Sequence, residues 1–79
     1  MTTLQASRVL DCSGMLDPFT TLELSKVIKE IEVGQILKMI ATDMSAPSTM
    51  KAWSKMTGNE LLESGEEDGK FVFYFRRVK

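Results

Sequence analysis

Few side chains in this sequence are suited to chemistry, and the most reactive of them lies near its start. The sequence has one cysteine, Cys12, and no histidine. A cysteine thiolate is a nucleophile and can carry sulfur, so Cys12 is the candidate catalytic residue. A lone thiol without histidine excludes an intramolecular disulfide and leaves no cluster with the spacing of zinc ligands. We therefore expect no metal and no other cofactor.

Two aspartates, Asp11 and Asp17, lie close to Cys12 in the sequence. Asp17 precedes Pro18, a pair typical of a helix start in which Pro18 takes the first helical position and Asp17 caps the free amides. Asp17 could instead contact a partner or a ligand. Asp11 and Asp17 invite an acid–base hypothesis, which the absence of histidine and the lack of an evident deep pocket in so small a sandwich disfavour. We expect no catalysis by the chain alone.

Cys12 itself has two interpretations. It ends a short apolar run that starts at Arg8 and stops at Ser13-Gly14, which predicts a strand followed by a turn. On such a strand Cys12 shares a face with Leu10, and a buried thiol behaves as a small, inert hydrophobe. Alternatively, the loop containing Gly14 folds back and brings the thiol to the helix start, where it would be reactive.

The first half of the chain alternates between strand and helix patterns. After the strand that ends at Cys12, a helix is predicted from Asp17-Pro18 to a stop at Gly34. Its apolar stripe has helical spacing, and Glu23 is assigned to the opposite, polar side. The stripe consists of Leu24, Val27, Ile28 and Ile31. Residues 35–42 form an almost unbroken apolar run, which predicts a central strand.

The second half contains one helix and two strands. The polar turn 43–47 leads into a helix in which Met50, Trp53 and Met56 are three residues apart, a spacing interpreted as core packing. Gly58 ends this helix. Residues 59–64 form a weaker strand, 65–69 an acidic turn and 71–78 the last strand.

The order β-α-β-α-β-β predicts an α/β (α+β) two-layer sandwich with both helices on one face of a four-stranded mixed sheet. The first two strands should be parallel and the last two an antiparallel hairpin. Residues 1–79 form one predicted domain, with residues 1–6 as a poorly ordered N-terminus. One end of the sheet should then gather several loop residues: Cys12, Met15, Asp17, Pro18 and Asp43.

Charge and hydropathy narrow the possible partners. The net charge of −1 gives no global basic field, so nucleic-acid binding is disfavoured. The alternative function is a nucleic-acid-binding or regulatory module that uses the open sheet face and the basic C-terminal residues. On that face Tyr74 and Arg76 form the only predicted stacking pair. We interpret Phe71, Phe73 and Phe75 as core instead. Without a long apolar run, no membrane span is expected, and the predicted location is cytoplasmic.

The segment 10–18 resembles the opening of the TusA/SirA (YedF-like) sulfur-carrier family, whose pattern is Leu-Asp-x-Arg-Gly-Leu-x-Cys-Pro-x-Pro. Four residues match: Leu10, Asp11, Gly14 and Pro18. The distance from Asp17 to Gly34 fits the family without a gap, and Asp43 occupies its Asp-Pro-type turn. Three residues depart from the pattern: Asp17 stands in place of the cysteine, Ser13 of the arginine and Thr20 of the second proline.

The resemblance implies a small protein of a sulfur-relay system that acts by protein–protein contact. Its implied partners are a cysteine desulfurase, a rhodanese or a DsrE-like sulfurtransferase. A carboxylate cannot hold a sulfane sulfur, so the chain is interpreted as a degenerate member in which Cys12 is the only possible carrier. Met15 and Met44, in the loops before the helices, could form an adaptable partner surface. We expect a monomer or a weak dimer.

Overall fold

The structure is a computed structural model that describes residues 4–79. Its strands are β1 (Arg8–Cys12), β2 (Ile36–Ala41), β3 (Glu60–Glu67) and β4 (Lys70–Arg76). Its helices are α1 (Phe19–Val27), which a short 3₁₀ turn (Ile28–Glu30) extends, and α2 (Ala46–Thr57). The predicted element order is confirmed. The prediction for residues 1–6 lies partly outside the described residues, and residues 4–6 belong to no helix or strand.

The four strands form one mixed sheet in the order β1-β2-β4-β3. β1 and β2 are parallel, with Cys12 opposite Ala41, and β4 is antiparallel to both of its neighbours. The parallel pair, the hairpin and the central position of β2 are as predicted. Because β1 and β2 are parallel neighbours, their carboxyl ends lie side by side, and the loops that lead into α1 and α2 start there.

One face of the sheet carries the core and both helices. Leu37, Met39 and Ala41 of β2 alternate with half-buried residues and are completely buried. The four members of the predicted α1 stripe are buried in the same cluster. From α2, the Trp53 ring contacts the Phe75 ring edge-on, with 5.0 Å between their centroids. The predicted two-layer arrangement is therefore present.

The hairpin differs from its predicted boundaries. Strand β3 continues to Glu67, which pairs with Lys70, so residues 65–67 are strand and not turn. The turn itself is only Asp68 and Gly69, both with positive φ, and such two-residue turns match the twist of the strands they join. The last strand ends at Arg76, because the Val78 amide donates to the Asn59 side chain instead of a neighbouring strand.

The prediction that Met56 belongs to the core is wrong. Met50 is completely buried and Trp53 is 4% exposed, whereas Met56 is 85% exposed. Each step of three residues falls about 60° short of a full turn of an α-helix, so two such steps place Met56 about 120° away from Met50. A spacing of three can therefore link only two successive residues to one core face.

Candidate functional site

Two loops meet at the carboxyl ends of β1 and β2. The Gly14 amide donates to the Thr42 hydroxyl over 2.8 Å, and the Asp17 amide donates to the Asp43 carboxylate over 2.9 Å. Gly14 adopts φ +82°, a left-handed conformation that favours glycine. The structure thus brings the loop of Gly14, Met15, Asp17 and Pro18 against Asp43, as the parallel strand pair predicted.

The Asp17 carboxylate is held by hydroxyl groups from both helices. Its Oδ1 accepts from Thr20 at 2.9 Å and from Thr21 at 3.3 Å, both in α1. Its Oδ2 accepts from Thr49 of α2 at 2.9 Å. These bonds tie the starts of the two helices to one side chain.

The predicted capping role of Asp17 is wrong. Helix α1 begins at Phe19, so Pro18 occupies the N-cap position, and no side chain in the described part of the chain caps the helix amides. Asp17 lies one residue too early for that role, and the hydroxyls of Thr20 and Thr21 take its Oδ1 instead. The sequence pair Asp-Pro indicated where the helix begins to within two residues, but not what the carboxylate binds.

The Asp43 carboxylate organises the second loop. It accepts the amide and the hydroxyl of Ser45, each over 2.9 Å, in addition to the Asp17 amide. The Ser45 amide, then the Asp17 amide and then the Ser45 hydroxyl stabilise its charged form and lower the pKa of Asp43. Asp43 is therefore a fixed anion that joins the two loops.

Asp11 does not form a pair with Asp17. It alternates with Cys12 along β1 and so points to the open face of the sheet, whereas Asp17 lies in the helix layer. The hydroxyl and the amide of Ser13 donate to Asp11 and lower its pKa, and the Lys70 charge adds to this. The two carboxylates have separate partners, so the acid–base hypothesis gains nothing from the geometry.

Cys12 is completely buried in the core, which confirms the predicted burial of its thiol. Burial, and next the negative charges of Glu23 and Asp11, raise the pKa of Cys12. Glu23 is not on the polar side of α1 as predicted: its Oε2 is buried, and none of residues 4–79 forms a hydrogen bond with it. Both the burial and the pKa shift disfavour the thiolate, which is the nucleophilic form.

Large apolar side chains are exposed around Asp17. We define the docking patch as Leu16, Phe19, Leu22 and Met44, which are 61–83% exposed. The first three precede or begin α1, and Met44 follows Asp43. Met15, by contrast, packs against the core. Sequence reasoning missed Leu16, Phe19 and Leu22, although Phe19 and Leu22 are one turn apart and lie outside the Leu24 stripe.

The open face of the sheet does not present the predicted stacking pair. Tyr74 is only 7% exposed, and the Lys38 ammonium lies 5.8 Å from its ring centroid. The Arg76 guanidinium donates to Glu60, and Arg77 donates to the Ile31 carbonyl oxygen.

Within residues 4–79, no group of three or more His, Cys, Asp or Glu residues could hold a metal ion. No helix in that range is long and apolar enough to cross a membrane.

Comparison with known proteins identifies the family. The model of the family described as sulfurtransferase TusA matches residues 8–77, and the chain belongs to this family. It is 43% identical over 68 residues to the sulfur carrier protein TusA of Allochromatium vinosum, covering 86% of this chain and 90% of the relative. It is 35% identical to the putative sulfur carrier protein YrkI of Bacillus subtilis, covering 94% and 99%.

A solved structure shows the same fold. The SirA-like protein of Desulfitobacterium hafniense superimposes with a TM-score of 0.77 at 16% identity, over 91% of this chain and 99% of that one. The predicted TusA/SirA family and the α+β fold are confirmed. Membership in a family of sulfur carriers supports a role in sulfur relay.

Proposed function

We propose that this chain acts in sulfur relay by binding other relay proteins through the docking patch, without carrying sulfur at Asp17. The observation that carries the proposal is the Asp17 carboxylate, which three hydroxyls hold between the starts of α1 and α2. The resemblance places this residue where the family has its cysteine. A carboxylate has no sulfur atom to extend, so persulfide chemistry at this position is lost.

The docking patch supports a function that depends on contact. Four large apolar side chains stay exposed around an ordered loop, and exposed apolar clusters mark interaction sites. Asp17 contributes by fixing that loop: its amide binds Asp43, and its carboxylate binds Thr49 of the other helix. In this proposal Asp17 keeps the loop before α1 in place but cannot form the persulfide that the family's cysteine forms.

Transfer of sulfur by this chain would have to pass through Cys12, the one thiol in the sequence. The thiolate would attack the terminal sulfur of a donor persulfide, and the donor's thiolate would leave. In the folded protein the Cys12 side chain is completely buried and its pKa is raised, so attack requires local opening of the core. We therefore place Cys12 outside the proposed contact site.

The proposed partners are those that the family implies: a cysteine desulfurase, a rhodanese or a DsrE-like sulfurtransferase. Binding of one of them is tested by titrating a cysteine desulfurase with Leu22→Glu and with Met56→Glu. Both side chains are highly exposed on helices, but only Leu22 belongs to the docking patch. We expect at least tenfold weaker binding for Leu22→Glu and none of this loss for Met56→Glu. Equal binding by both variants would contradict the proposed surface.

Sulfur transfer is tested by intact-mass measurement after incubation with a cysteine desulfurase and cysteine. The TusA protein of Allochromatium vinosum serves as the positive control. We expect the control to gain one sulfur atom and this chain to remain unmodified. A gain that disappears in Cys12→Ser would overturn the proposal and establish Cys12 as the carrier.

A further inference from the structure

A cavity of about 250 Å³ lies between the two helices, away from the docking patch. Thr49, in the first turn of α2, meets Asp17 at the start of α1, and Trp53, one turn later, meets Ser25, further along α1. The helices therefore run in the same direction. The cavity is lined by the later residues of both helices, so it lies toward the opposite end of the molecule from Asp17.

The floor of the cavity is apolar. Ile28 and Trp53 line it, and both are members of the core, with 3% and 4% exposure. Two contacts fix the orientation of the Trp53 ring. The ring packs edge-on against Phe75, and its Nε1 donates a hydrogen bond of 2.9 Å to the Ser25 hydroxyl oxygen. A flat apolar group that enters the cavity would therefore meet a preformed surface.

Two polar side chains of the lining have hydrogen-bond donors without an acceptor among the described residues. The Ser25 oxygen accepts from Trp53, and among the described residues no acceptor takes the Ser25 hydroxyl hydrogen. Asn59 is 95% buried, since only 5% of it is exposed. Its Oδ1 accepts the amides of Val78 and Lys79, whereas no acceptor within residues 4–79 binds its side-chain NH₂ group. Both groups are available as donors.

Two positive charges at the rim of the cavity also have no ion-pair partner among residues 4–79. Lys29 and Lys79 line the cavity, and neither takes part in an ion pair within the described part of the chain. The carboxylate of Glu30, the residue after Lys29, is already bound to Arg8. An ammonium group offers donors and no acceptor, so the rim and the lining donors favour the same kind of atom in a ligand.

We propose that this cavity binds a small organic carboxylate with a flat apolar body, a ligand site independent of the docking patch. The apolar body lies on Trp53 and Ile28, and the carboxylate accepts from the Ser25 hydroxyl, the Asn59 amide and the two lysines. Charge-assisted hydrogen bonds of this kind are the stronger ones, so the anion binds more tightly than a neutral molecule of the same shape.

Fluorescence of Trp53, the one tryptophan in the sequence, tests this proposal directly. The intact chain is titrated with benzoate and, separately, with benzamide, which keeps the apolar ring but lacks the charge. We expect a saturable change with benzoate and at least tenfold weaker binding of benzamide. No saturable response to benzoate, or equal binding of both compounds, would overturn the proposal.

Two exposed lysines, one at the cavity and one outside it, distinguish benzoate binding in the cavity from a general effect of charge on benzoate affinity. Lys29→Gln removes a rim charge, and Lys26→Gln removes a charge of α1 outside the lining. Benzoate affinity should fall threefold or more in Lys29→Gln and stay unchanged in Lys26→Gln. Equal affinities in the two variants would refute the site, and far-ultraviolet circular dichroism establishes that both remain folded.

Discussion

At the scale of single residues, two aspartates determine the shape of the candidate site. The side chains of Asp17 and Asp43 are hydrogen-bond acceptors, and each accepts three hydrogen bonds from neighbouring segments. A carboxylate can accept several hydrogen bonds at once, which suits it to join loops that expose amides and hydroxyls. The same property explains how these two side chains hold the loops after β1 and β2 together.

The lowered pKa of Asp43 predicts that its contribution to stability depends on pH. A carboxyl whose pKa is lower in the folded than in the unfolded state stabilises the fold above the unfolded value of about 3.9. This stabilisation is lost as the pH falls through the folded pKa. Urea unfolding should therefore show that Asp43→Asn is less stable than the native chain near neutral pH.

The difference between the two chains should shrink in acid. As the pH falls through the folded pKa, the native Asp43 becomes protonated and resembles an amide in charge, so the urea midpoints of the two chains should approach each other as the pH is lowered from neutral toward about 2. A difference that is the same at both pH values would show that the charge of Asp43 has no part in its effect.

The substitution Asp17→Cys should give the chain the ability to carry sulfur. The substitution in a Cys12→Ser background leaves one thiol, just before α1, where the positive end of the helix dipole lowers the pKa of a thiol. With a cysteine desulfurase and cysteine, intact-mass measurement should show the addition of one sulfur atom. Asp17→Ser in the same background is the control and should stay unmodified. A failure of the Asp17→Cys variant, beside a modified TusA control, would show that more than the thiol has been lost.

Sequence reasoning predicted which loop residues lie close together but missed Leu16, Phe19 and Leu22 of the docking patch, for a physical reason. Asp17, Pro18 and Asp43 follow strands whose parallel pairing places their loops together, so topology alone predicts their proximity. Exposure of Phe19 and Leu22 depends on which side of α1 faces the sheet. The apolar stripe indicates the side of α1 that is buried, but it does not show whether an apolar residue outside the stripe packs against another element or stays in solvent.

At the scale of elements, periodicity predicted the buried faces of α1 and β2 because both repeat regularly. The alternation in β2 buried Leu37, Met39 and Ala41, and the stripe of α1 is buried throughout. It did not predict the length of β3, since pairing with β4 keeps Gly65, Glu66 and Glu67 in the ladder despite their weak strand propensity. Pairing is a tertiary effect that local pattern does not contain.

Helix α2 offers a matched test of this interpretation. Met50→Ala removes a completely buried side chain and should lower the free energy of unfolding by about 2–5 kcal/mol, because a cavity remains in the core. Met56→Ala changes a side chain that is 85% exposed and should alter it by less than about 0.5 kcal/mol. Chemical denaturation of the two variants measures both values. Equal losses would contradict the orientation of α2.

At the scale of the whole molecule, the fold places two different surfaces at opposite ends of one helix layer. The loops after β1 and β2 carry the docking patch, and the later turns of α1 and α2 form the cavity. The core between them is a continuous cluster that includes side chains from both helices and from the sheet. Because this cluster is shared, we expect neither helix to unfold independently of the sheet.

Trp53 can report on that cooperativity because it links three elements. It belongs to α2, its Nε1 donates to Ser25 of α1, and its ring contacts Phe75 of β4. During urea unfolding, Trp53 fluorescence and far-ultraviolet circular dichroism should therefore give superimposable curves, the mark of a two-state transition. Ser25→Ala leaves the indole N–H without its partner, so it should lower the midpoint of both curves together. A fluorescence transition at lower urea than the dichroism transition would show instead that the helices leave the sheet before it unfolds.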